Sequence, residues 1–162
     1  MNWQTALGLA AALFGVFIVF RFRPVFPGGE SSAKREALRL LRKQILSEQD
    51  GEKKAELLCA AAKLCLEAPG LKRRARRYAF RAVALAPRST SVFAKASDHL
   101  ADSPRALEKA CWRVLGECAN ESHHPNFREA IRRLGVAYEL RRDVRKSAAM
   151  KAIFAELQPA AG

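Results

Sequence analysis

The side chains able to do chemistry in this 162-residue chain are few, and their spacing points away from catalysis. His123 and His124 stand side by side before Pro125, close in sequence to Cys118. Cysteine and histidine bind zinc, but neighbouring histidines do not easily complete one tetrahedral site with a single cysteine. The pair reads as a solvated loop, so neither a metal nor a cofactor is expected. Cys59, Cys65, Cys111 and Cys118 form no C-x-x-C pair, which removes the usual zinc and redox spacings. Cys111 and Cys118 would lie roughly 10 Å apart along one helix, too far for a disulfide. Each cysteine has Leu and Ala for neighbours, where a free thiol behaves as a small apolar residue. Buried, reduced thiols are expected. No nucleophile-and-base spacing, glycine-rich phosphate loop or pair of acid carboxylates is present. The chain is expected not to be an enzyme.

Charge is the stronger signal. Lys and Arg number 29 against 16 Asp and Glu, a formal net charge of +13. An excess of that size implies an anionic neighbour: acidic lipid, nucleic acid or an acidic protein. The densest run is Lys72-Arg73-Arg74-Ala75-Arg76-Arg77, followed by Tyr78, Phe80 and Arg81. On a helix Arg73, Arg77 and Arg81 line up at four-residue steps, with Arg74 alongside. Lys72, Arg73, Arg74, Arg76, Arg77 and Arg81 are therefore the candidate residues for a partner or an anionic surface. Against anionic lipid each basic side chain adds on the order of 1 kcal/mol. Against nucleic acid the row would neutralise several phosphates with steep salt dependence. No base-recognition motif accompanies it, so nucleic acid ranks behind a protein or peptide partner.

The elements that must carry this row follow from the hydrophobic pattern. Trp3 to Phe20 contains no charged residue and stops at Arg21-Phe22-Arg23. A helix of roughly 18 residues rises about 27 Å, close to the hydrocarbon thickness of a bilayer. Residues 1–23 are thus expected to form a transmembrane anchor, with Trp3, Arg21 and Arg23 at the membrane interfaces. Basic residues follow the span and none precedes it, which predicts a single-pass protein with its C-terminal domain cytoplasmic. Gly8, Ala11, Ala12 and Gly15 share one face at small-xxx-small spacing, a weak pointer to a homodimer. Residues 24–32, rich in Pro, Gly and Ser, read as a linker, and 33–162 as one domain.

Within that domain the periodicity predicts helix after helix. Leu38, Leu41 and Ile45 mark a first, to about Gln49; Leu57 to Leu66 a second, ended by Pro69-Gly70. A third runs from Leu71 to Ala86, and a fourth from Thr90 or Ser91 to about Ala101. Ser103-Pro104 opens a fifth, to about Asn120, with proline in the first turn. Asn126 with Glu129 resembles a capping box that opens a sixth, through Leu140; a seventh covers about Asp143 to Leu157. No apolar–polar alternation is long enough for a strand.

Pro87, Pro125 and Pro159 end or flank helices at an interval near the roughly 34-residue tetratricopeptide period. Ile131-x-x-Leu134-Gly135-x-x-Tyr138 resembles that family's W-x-x-L-G-x-x-Y signature, with Ile in the Trp position. In the same frame Ala75 and Ala82 fall where the family packs small residues, Leu66 at its Tyr position and Gly70 at the turn between helices. Cys59 and Lys63 stand where Trp and Gly are usual. The resemblance implies repeat packing through Leu66, Ala75, Ala82, Leu134, Gly135 and Tyr138, with an approach at Gly135 too close for a tryptophan. It implies an all-α fold: a transmembrane helix, then an α-α superhelix of about three tetratricopeptide-like helix pairs. The function it implies is a membrane-anchored, non-catalytic adaptor or scaffold that binds a protein or peptide partner at the cytoplasmic face. A tether for nucleic acid or anionic lipid through the basic helix is the alternative.

Overall fold

The computed structural model describes residues 32–68, 70–121 and 123–157. They fall in one compact unit, Ser31–Gly162, and form helices joined by connections of three to seven residues. In chain order these are α1 (Ser32–Ser47), α2 (Gly51–Leu66), α3 (Lys72–Leu85), α4 (Thr90–Leu100), α5 (Pro104–Glu117), α6 (Pro125–Leu140) and α7 (Val144–Glu156). No strand occurs among the described residues. Each helix packs on the next in sequence; α2 also reaches α4, α3 reaches α5, and α4 reaches α6. Connections this short turn successive helices back on one another, which produces a stack of hairpins.

The expected transmembrane helix requires correction. The longest described helices, α1, α2 and α6, have 16 residues each. Sixteen residues rise about 24 Å, short of the ~30 Å core of a bilayer, and each of these helices carries charged side chains on most turns. No helix among the described residues is long and apolar enough to cross a membrane. The described residues therefore form an all-helical body without a spanning helix, and nothing among them supports the expected single-pass, cytoplasm-facing localisation. The stretch on which the anchor was expected, with Trp3, Arg21, Arg23 and the small-residue dimer face, lies outside the described residues, as does most of the linker.

Small side chains set the helix spacing. Ala55, Ala61, Ala62, Ala75, Ala79 and Ala82 are all fully buried, so α2 and α3 approach closely along an alanine seam. Between the alanines the gaps are filled by Leu58, Val83, Val92, Phe93 and Leu100, also fully buried. Alanine loses no side-chain entropy in a helix, and close approach recovers in dispersion what its small surface lacks. Gly70 takes φ +83° in the α2–α3 turn, a left-handed conformation that glycine adopts without Cβ strain.

The residues expected at repeat seams divide. Ala75, Ala82 and Leu134 are fully buried, Tyr138 and Gly135 are buried, and Leu66 is half-buried. Tyr138 pins α6 to α5 by donating its hydroxyl to Glu108 Oε1 at 3.1 Å. Gly135 faces α7, but an added Cβ would lie 3.7 Å from Met150 Cβ and 3.9 Å from Lys151 Cγ. Those are ordinary contacts, so a methyl fits there: the side chains of Met150 and Lys151, not backbone, stand opposite. The helix itself buries only Ser147.

The start of α6 also differs from the capping-box reading. His124 is its N-cap, with Nδ1 accepting from the Asn126 N–H at 3.1 Å, and Pro125 occupies the first turn. Asn126 is buried instead, and its Nδ2 donates to the Pro87 carbonyl at 3.0 Å. It fastens the α3–α4 turn to α6. Proline leaves no N–H to satisfy at the first helical position, which suits His124 to the cap and frees Asn126 for this longer bond.

Candidate functional site

Side chains on α1 and α3 bring the basic row to a focus. Both helices border α2, α1 through Leu38, Leu41 and Ile45 and α3 through its alanine face, and their own backbones do not meet. The space between them is a groove of about 290 Å³ lined by Arg42, Arg74, Arg77, Tyr78 and Arg81. Arg74, Arg77 and Arg81 lie three and four positions apart on α3, so a single face presents all three. Arg42 arrives from α1, and its Nε donates to the Tyr78 hydroxyl at 3.0 Å.

No carboxylate pairs with Arg42, Arg74, Arg77 or Arg81 among the described residues. Elsewhere several basic side chains are matched, among them Lys34 to Glu67, Arg88 to Glu121, Arg113 to Glu117 and Arg141 to Glu108. Like charges one helical turn apart cost a few tenths of a kcal/mol per pair, so the unmatched groove gains from an anion. It offers donors in abundance. Each guanidinium presents a planar fork of N–H groups, and Tyr78, which accepts from Arg42, keeps its own proton to donate.

The six basic residues singled out by spacing do not act together. Arg74, Arg77 and Arg81 line the groove. Arg76 turns to the other side of α3 and pairs with Asp102 in the α4–α5 turn at 3.2 Å. Lys72 and Arg73 are exposed and line no part of it. Arg42 was not among the candidates, because in sequence it is one more basic residue on the polar side of an amphipathic helix.

A second opening, about 410 Å³, lies between α2 and α4 and is lined by Glu56, Cys59, Ala60, Lys63, Lys95, Asp98 and His99. Its carboxylates are already matched. Lys95 meets Glu56 at 3.8 Å, and Arg133 meets both Asp98 and Glu129 at 2.7 Å. Burial alone would raise the Glu129 pKa, but hydrogen bonds from Arg132 and Arg133 outweigh it and hold the carboxyl below its ordinary value. Burial lowers the pKa of His99, and Lys63 adds to that, against Asp98 and the Cys59 carbonyl.

The four cysteines are buried and form no disulfide with one another. Burial pushes the thiol of Cys59 up to about 11 and that of Cys111 up to about 12, so neither is a thiolate near neutral pH. Cys59 spends its S–H on the Val92 carbonyl at 3.8 Å. Among the described residues no group of three or more His, Cys, Asp and Glu side chains is placed to hold a metal ion. His123 is exposed, and His124 is occupied as the cap of α6.

Comparison of the chain with protein-family models, with curated proteins and with solved structures found no match.

Proposed function

We propose that this protein is a non-catalytic adaptor that holds an acidic segment of a protein partner in the arginine groove between α1 and α3. The observation that carries the reading is the convergence of four guanidiniums from two helices on one groove, with no carboxylate paired to them among the described residues. The helix stack supports it too. Contacts to the next helix and the next but one are what a tetratricopeptide-like array requires, and stacked helix pairs offer extended surfaces for peptides. Nucleic acid is the less favoured occupant. The groove spans Arg74 to Arg81, roughly 10 Å of helix, enough for one or two phosphates, and its aromatic ring is half-buried and tied to Arg42.

The test is binding of the full-length chain to a fluorescein-labelled Glu-rich peptide, with single-stranded nucleic acid and anionic vesicles as competitors. Arg74→Glu with Arg77→Glu is expected to weaken peptide binding by about tenfold or more, roughly 1.4 kcal/mol. Arg105→Glu, an exposed position on α5, is expected to leave it nearly unchanged. Equal losses in both variants, or nucleic acid displacing the peptide at lower concentration than free peptide does, would show diffuse attraction rather than a docking site.

A further inference from the structure

Building on that docking reading, we infer that the groove is selective for a phosphorylated side chain on the partner segment: a phosphomonoester held between Arg42 on one wall and Arg74, Arg77 and Arg81 on the other. Every group that lines the opening is a donor. The four guanidiniums accept nothing, and the Tyr78 hydroxyl already accepts from Arg42 Nε at 3.0 Å, which leaves its proton to donate to a ligand. A matching ligand must therefore be an acceptor on all sides. A carboxylate brings one charge and two oxygens in a plane, which suits a single guanidinium fork. A phosphomonoester brings close to two charges and three oxygens in a pyramid, enough to engage forks from both walls at once. The opening, about 290 Å³, admits such a group with the end of the side chain that carries it.

Two walls from separate helices matter to the argument. α1 and α3 touch each other here through Arg42 and Tyr78, not through backbone. An anion that bridges Arg42 to Arg77 would join the helices, so binding should be felt on α1 as well as on α3. A single row of arginines on one exposed helix would give no such signal.

The test titrates the full-length chain with phenyl phosphate and with benzoate at matched ionic strength, followed by NMR of arginine Nε–H and Tyr78 ring resonances. Phenyl phosphate is expected to bind about tenfold more tightly at about pH 7.5 and to lose most of that margin by about pH 5.5, as its second ionisation near pH 6 reverses. Arginine stays charged throughout, so the change reports the ligand. Arg77→Gln is expected to weaken phenyl phosphate about tenfold with unchanged far-ultraviolet circular dichroism, and Arg77→Lys to weaken it nearly as much, because an ammonium lacks the fork. Arg73→Gln serves as the control on the same helix, with no loss expected. Adding a phosphoserine to the Glu-rich peptide is expected to tighten it by a similar factor.

Equal affinity for benzoate and phenyl phosphate, or equal losses in Arg73→Gln and Arg77→Gln, overturns the inference. Should Arg77→Gln fail to fold, Arg42→Gln from the opposite wall carries the same expectation. Glu-rich peptide binding with no gain from phosphoserine removes phosphate selectivity and leaves the docking reading intact. Phenyl phosphate binding without peptide binding does the reverse.

Discussion

Replacing Gly135 by alanine is expected to stabilise the protein, against the usual expectation for a glycine inside a helical seam. The position lies in the interior of α6, with its face towards α7. Alanine in place of a mid-helix glycine gains about 0.8–1 kcal/mol through backbone entropy. The new methyl would meet Met150 Cβ at 3.7 Å and Lys151 Cγ at 3.9 Å, distances that need no shift. Burial of part of one methyl adds up to about 0.5 kcal/mol, since a fully buried CH₂ contributes about 0.8. The net is about 1–1.5 kcal/mol, or a rise of about 3–5 °C in Tm for a domain of this size. Urea and thermal denaturation monitored by far-ultraviolet circular dichroism would measure it. Gly135→Trp provides the opposite case. An indole there must push aside Met150 and Lys151, and α7 buries only Ser147 to resist. The expected result is loss of helical signal from about this one 13-residue helix, with α1 to α6 still cooperatively folded. A lower Tm for Gly135→Ala would refute the reasoning, because it would mean that α6 and α7 lie closer than a side chain's width.

Other positions give independent checks. Arg142 sits at φ 58° just after α6, where its N–H bonds the Glu139 carbonyl at 2.8 Å and the next N–H, of Asp143, reaches Tyr138 at 2.9 Å. This is a Schellman ending with a non-glycine residue in the left-handed position. Arg142→Gly is expected to stabilise by about 0.5–1 kcal/mol in urea denaturation, the ~1–2 kcal/mol Cβ strain less glycine's entropy cost. Asn126→Ala removes the buried bond to the Pro87 carbonyl and is expected to cost about 1–3 kcal/mol in the same assay. His99 predicts a pH dependence. Its folded-state pKa is lowered from 6.5, so the unfolded chain binds the proton more readily. The contribution is whole above about pH 6.5 and is lost as pH falls from there through the lower folded value. His99→Gln should therefore flatten the fall in Tm on going from neutral to mildly acidic pH.

Much of the fold was legible because helix signals are local. Pro87, Pro104 and Pro125, the turn at Gly70 and the spacing of Leu38, Leu41 and Ile45 place helix ends and faces within a few residues of where they stand. Each such signal is settled within one or two turns of chain. The burial of Ala75, Ala82, Leu134 and Tyr138 follows the same logic, since small and large side chains at helical spacing have one face to hide. The burial of the cysteines was legible too, from their apolar neighbours.

The groove was not legible, and neither were the small corrections around it. Arg42 and Tyr78 are 36 positions apart, and their meeting depends on how far α1 and α3 splay as they border α2. The same geometry turns Arg76 towards Asp102, 26 positions on, and away from the arginines beside it. Asn126 resembled a cap until the α3–α4 turn supplied a better acceptor 39 positions away. Residue type and spacing determined that this protein would be a basic stack of helices with a charged row on the third. Which of those charges converge, and which are neutralised, was decided by helix crossings, because a side chain's partner across a groove is set by tertiary distance and by nothing within its own turn.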